Sequence, residues 1–187
     1  MILTESDLRT AAGEARKHPT EFALLEEKMF DEAESYDLFI SHSFKDKDLV
    51  IGLRYKFQQC GYSVYIDWID DQNLDRGTVT PKTAEIIRNR LDHCNGLAYV
   101  ATTNSTNSKW CPWELGLADG KIGRACILPI MSGRFNGNEY LGLYPYLEFA
   151  KTAKENRDEF WVYDQADRNR YIVLSSWLNG SNPRIHQ

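Results

Sequence analysis

The chain of 187 residues lacks several things. Its four cysteines, Cys60, Cys94, Cys111 and Cys126, form no Cys-x-x-Cys pair. Its four histidines, His18, His42, His93 and His186, show no ligand spacing, so no metal site is expected. No apolar run approaches the roughly 20 residues of a membrane helix. No charged-then-apolar leader opens the chain, so a cytoplasmic setting with reduced thiols is expected. There is no basic stripe, which argues against a nucleic-acid partner. With 12 glycines and 6 prolines, the chain is neither fibrous nor of low complexity.

Familiar catalytic loops are missing too. There is no phosphate-binding Gly-x-x-x-x-Gly-Lys-Ser/Thr run and no Gly-x-Ser-x-Gly elbow. Gly116, Gly120 and Gly123 are spaced wrongly for a dinucleotide fingerprint and fall inside a helical pattern. The acidic stretch 67–79 lacks the Asp-x-Asp-x-Asp-Gly order of a calcium loop.

The chain is long enough for one self-sufficient domain with an appendage. Residues 1–35 hold nine acids against four bases, so they carry the whole net charge of −5 and the rest is neutral. This arm, 1–35, reads as two acidic helices separated at His18-Pro19, the first capped by Thr4 or Ser6. From Tyr36 the pattern alternates. Short apolar runs at 36–40, 62–66, 96–101, 125–130 and 160–163 predict five strands. Helical spacing predicts helices that carry Leu49, Val50, Leu53 and Phe57; then Ala84, Ile87 and Leu91; then 110–121; and last Tyr171, Leu174, Trp177 and Leu178, capped by Asp164. Residues 131–158 read as irregular. Strands that are apolar throughout are covered on both faces. The fold class is therefore α/β, a five-stranded parallel doubly wound (flavodoxin-like) sheet with helices on both faces, plus the N-terminal helical arm. Ligands of such sheets sit beyond the carboxyl ends of the strands, which directs attention to 41–44, 67–68 and 102–114.

Four segments in those places resemble one family. They are Tyr36-Asp37-Leu38-Phe39-Ile40-Ser41-His42-Ser43, then Gly61-Tyr62-Ser63-Val64-Tyr65-Ile66-Asp67, then Ser108-Lys109-Trp110-Cys111-Pro112-Trp113-Glu114-Leu115, and Ile127-Leu128-Pro129-Ile130. Together they are similar to the TIR (Toll/interleukin-1 receptor) domain over 36–178, leaving 1–35 as an extension and 179–187 as a tail. The third segment, with the run 113–120, looks most like bacterial stand-alone TIR enzymes of antiphage systems such as Thoeris. The resemblance implies cleavage of NAD+ as substrate, with no resident cofactor, to an ADP-ribose-type or cyclic ADP-ribose-type signal. It also implies self-association through the loop 67–79 and a downstream effector that binds the product.

The chemistry fits one carboxylate. Nicotinamide leaves the ribose as a neutral molecule and needs no general acid. The oxocarbenium-like transition state needs a negative charge nearby. The resemblance gives that role to Glu114, four residues after Trp110. A first-turn acid that merely satisfies backbone donors is the alternative reading. Ser41, His42, Ser43, Phe44, Asp67, Trp68, Trp110 and Trp113 are the expected substrate contacts, with Trp110 favoured over Trp113 for stacking. His42 also reads as an edge histidine, Phe44 as core, and both tryptophans as anchors. In some NAD-cleaving members the positions of Ser43 and Phe44 are arginines, which leaves the phosphate-binding group open. Two other functions stand beside this one: a non-catalytic assembly module, and a nucleoside deoxyribosyltransferase.

Overall fold

The computed structural model describes residues 1–17, 35–70, 80–131 and 139–186. The second acidic helix expected in the arm lies outside these residues, as does most of the loop 67–79. In chain order the elements are α1 (Glu5–Lys17), β1 (Leu38–Ser41), α2 (Lys47–Gln59), β2 (Val64–Tyr65), α3 (Asp67–Asp70), α4 (Pro81–Asp92), β3 (Leu97–Ala101), α5 (Cys111–Ile122), β4 (Ala125–Pro129), β5 (Tyr146–Lys151), β6 (Asp158–Tyr163), β7 (Arg170–Val173), α6 (Leu174–Leu178) and β8 (Arg184–Ile185).

The strands form one sheet in the order β2-β1-β3-β4-β5-β6-β7-β8. The first five in that order are parallel, with Phe39 opposite Leu97 and Ala98 opposite Cys126. β6, β7 and β8 then extend the sheet antiparallel. The parallel doubly wound core is as the sequence predicts, but its fifth strand is not. It is 146–151, inside the stretch read as irregular, and the expected strand at 160–163 is an antiparallel neighbour. The helix expected after Asp164 is replaced by a turn, the strand β7 and only five residues of helix.

Alternation along the strands builds two apolar layers. Leu38, Ile40, Ala98, Val100, Cys126 and Leu128 face α1 and α2. Phe39, Leu97, Tyr99, Ala125 and Ile127 face α4 and α5. Phe57 of α2 stacks on Phe160 of β6 at 4.0 Å between centroids, and burying each such ring contributes about 1.5–3 kcal/mol.

The first helix of the acidic arm is built into this body. Its N-terminus is a reciprocal cap: Asp7 N–H donates to Thr4 Oγ1 at 3.2 Å, and Thr4 N–H donates to Asp7 Oδ2 at 2.8 Å. The Thr4 hydroxyl, which donates to Asp7 Oδ2 at 2.7 Å, and next the Thr4 N–H hold the Asp7 carboxyl below its ordinary pKa. Leu8, Ala11, Ala12 and Ala15 are buried. Gly52 of α2 lets α1 approach closely, since a Cβ there would lie 1.9 Å from the Leu8 carbonyl oxygen.

Candidate active site

The carboxyl ends of β1, β2 and β3 and the start of α5 meet along one rim. α5 opens at Trp110, whose own side chain makes no cap. Ser108 Oγ instead accepts from the backbone N–H of Trp110 and of Cys111, each at 3.3 Å. Pro112 fixes the first turn. Glu114 N–H donates to the Trp110 carbonyl at 2.8 Å, which closes that turn. The Glu114 side chain is 0% exposed. Ser41, the last residue of β1 and also 0% exposed, donates through Oγ to Glu114 Oε2 at 2.6 Å. The positive end of the α5 dipole points at this carboxylate. Burial excludes the water that would screen its charge.

The other expected residues divide into buried and open groups. His42 is buried, with Nδ1 3.0 Å from the Ile40 carbonyl and Nε2 3.6 Å from Asp67 Oδ1. It therefore ties the end of β1 to the turn after β2. Ser43 caps a short 3-10 turn, Phe44–Asp46, by accepting from Lys45 N–H. Phe44, which also read as core, is 70% exposed. Trp68 is half-buried, and the Lys47 ammonium lies between it and Phe44. Trp110 is the buried indole and packs in the layer under α5, whereas Trp113 is only partly buried. The two rings meet edge to face at 5.5 Å, and the Arg88 guanidinium lies 5.5 Å over Trp113. Trp110, the expected stacking contact, is thus the less accessible of the two tryptophans.

Two further groups on the rim escaped the sequence reading. Asp46 is buried and accepts from Thr102 Oγ1 and Asn104 Nδ2, each at 2.6 Å. It joins the turn after β1 to the loop after β3. Asp70 is buried with Arg54: its Oδ1 accepts from Arg54 at 3.2 Å, and its Oδ2 from Ile66 N–H at 2.6 Å. That pair fixes the base of the loop that follows β2. Only the hydroxyl-rich and amide-rich character of 102–108 hinted at the first group. Nothing local hints at the second, because Arg54 and Asp70 are brought together by the fold.

Two cavities lined wholly by described residues open elsewhere. One, of about 350 Å³, lies between α1, α2 and Phe149, and the other, of about 450 Å³, surrounds Arg124, Tyr144 and Arg170 at the amino edge of the sheet. Among the described residues no three His, Cys, Asp or Glu side chains are grouped to hold a metal ion, and no helix is long and apolar enough to cross a membrane.

The family model of the TIR domain matches residues 38–161, the span that contains the whole rim. The chain belongs to the TIR domain family. This TIR domain is 39% identical over 155 residues to a Bacillus cereus protein named as a probable 3' cyclic ADP-D-ribose synthase, ThsB'. That match covers 81% of this chain and 79% of the relative. It is 35% identical over 81 residues to a Cytobacillus dafuensis protein provisionally named cyclic ADP-D-ribose synthase TIR2, covering 43% of this chain and 21% of that relative. Among solved structures, the TIR domain of the Toll-related receptor TRR-2 from Hydra magnipapillata matches with a TM-score of 0.46 and 21% identity. It covers 60% of this chain and 82% of that one.

Proposed function

We propose that this TIR domain cleaves the nicotinamide–ribose bond of NAD+ and releases nicotinamide and a cyclic ADP-ribose-type signal. The observation that carries the reading is a dehydrated carboxylate, Glu114, held by Ser41 in the first turn of α5 at the carboxyl edge of a doubly wound sheet. The relatives named as cyclic ADP-D-ribose synthases support the same class of chemistry.

In this mechanism Glu114 stays ionised throughout. As the C1′–N bond lengthens, the bonding pair leaves with nicotinamide, which departs neutral, and positive charge grows on the ribose. The carboxylate lies close to that charge in a setting of low dielectric, so its attraction is larger in the transition state than in the ground state. A nucleophile from the same molecule then captures C1′ and loses a proton, which gives the cyclic product. Capture by water gives ADP-ribose, so exclusion of water selects between the two. Trp113 and Phe44 offer the accessible aromatic faces for the bases. Asp67 and His42 hold the turn after β2 against the end of β1.

The rest of the proposal is biological. Self-association through 67–79 gates catalysis. The product is passed to an effector, in bacterial antiphage immunity, within the cytoplasm. A second reading, an assembly module without catalysis, has one observation in its favour: Glu114 has no solvent-exposed surface in this arrangement. Mass spectrometry of purified protein incubated with NAD+ separates the two. Catalysis predicts release of nicotinamide with a cyclic product, abolished in a folded Glu114→Gln variant. Equal nicotinamide release by wild type and the variant would reject Glu114. No release at any protein concentration would leave the assembly reading.

A further inference from the structure

The rim is rich in acid, yet the proposed substrate carries two negative charges on its pyrophosphate. Asp46, Asp67, Asp70 and Glu114 are all buried there. Of the basic groups nearby, Arg54 is buried against Asp70, His42 is buried beside Asp67, and Arg88 is exposed over the single ring of Trp113. Lys47 differs. Its ammonium lies 3.7 Å from the ring centroid of Phe44 and 4.8 Å from that of Trp68. Among the described residues no carboxylate stands within ion-pair distance of it. A lysine between two aromatic faces is restrained by their quadrupoles while its charge stays uncompensated.

We propose that Lys47 binds the pyrophosphate of the dinucleotide, with Phe44 and Trp68 holding its ammonium in place. The inference deepens the NAD+ reading and rests on it. Lys47 is the first residue of α2, so the N–H groups of that first turn share its end of the helix. Phe44 is three residues from Ser41, a reach of at most about 11 Å. The Lys47 clamp and the Glu114 carboxylate that Ser41 holds therefore belong to one rim of the sheet. Lys45, two residues earlier, is exposed and no ring among the described residues clamps it, which makes it the natural control.

The test measures binding without turnover. NAD+ and nicotinamide riboside, which lacks the pyrophosphate, are titrated into the Glu114→Gln protein by calorimetry. Adding Lys47→Ala is expected to weaken NAD+ by about 10-fold or more, the loss of one charge-assisted contact. Nicotinamide riboside should change by less than about two-fold. Lys47→Arg should retain most of the NAD+ affinity, and Lys45→Ala nearly all of it. Circular dichroism establishes that each variant is folded. Equal weakening of both ligands, or of neither, overturns the proposal. A parent protein that binds NAD+ through Lys47 while wild type releases no nicotinamide refutes cleavage and leaves Lys47 standing. A folded parent that binds neither ligand overturns the Lys47 assignment as well.

Discussion

Replacing Ser41 by alanine removes one oxygen from a place that water does not reach. Its hydroxyl and the Glu114 carboxylate are both 0% exposed and are 2.6 Å apart. A hydrogen bond to a charged group contributes about 1.5–3 kcal/mol, and loss of one partner from a buried pair falls in the upper part of that range. Part of the loss is general, because any small cavity costs something. A double-mutant cycle isolates the pair. Ser41→Ala, Glu114→Ala and the double variant are unfolded in urea, and their stabilities are compared with wild type. We expect a coupling energy of at least about 1 kcal/mol, because the two groups share one bond. Nicotinamide release by Ser41→Ala should fall at least about 10-fold, mainly in kcat, because the carboxylate loses its fixed direction. Additive single and double effects, within about 0.3–0.5 kcal/mol, would refute the claim that Ser41 orients Glu114.

Three other outcomes follow from the geometry. Gly52→Ala places a methyl against the Leu8 backbone, so α1 must shift; a loss of about 1–3 kcal/mol in a denaturant melt, with faster proteolysis within 5–17, is expected. Arg54→Met leaves Asp70 charged and buried without its guanidinium partner, which should cost about 3–5 kcal/mol, while pairing it with Asp70→Asn should restore much of that in the same melt. Burial, reinforced by Glu159 and Asp158, pushes the Cys60 thiol up to about 11. Its contribution to stability is therefore present below the ordinary thiol pKa and lost as pH rises through about 11, and iodoacetamide should label native Cys60 far more slowly at pH 8 than after unfolding.

Strands buried on both faces announce themselves locally, which is why β1 through β4 were legible. β5 was not, because Glu148 interrupts its apolar run. That glutamate is acceptable in the sheet because Arg168, 20 residues later, and the Met1 amino group donate to it. The helix expected after Asp164, of which only 174–178 forms, was overextended for a local reason as well. Tyr171, Leu174, Trp177 and Leu178 recur at helical spacing, and Asp164 does accept from the N–H groups of Ala166 and Asp167. That cap opens a turn, and β6 then captures 170–173 as a strand. At the rim, Glu114 was legible because its motif is continuous in sequence. Asp46, Arg54 and Lys47 owe their settings to partners that only the folded chain supplies.

The two ends of the sheet bear on how copies of this protein can meet. β2 and β8, the outermost strands, contribute two residues each. So short a fringe offers almost no template for backbone pairing with a neighbour. Contacts between copies, where they form, would then fall to side chains on loops and helices, which would make assembly sensitive to single surface substitutions.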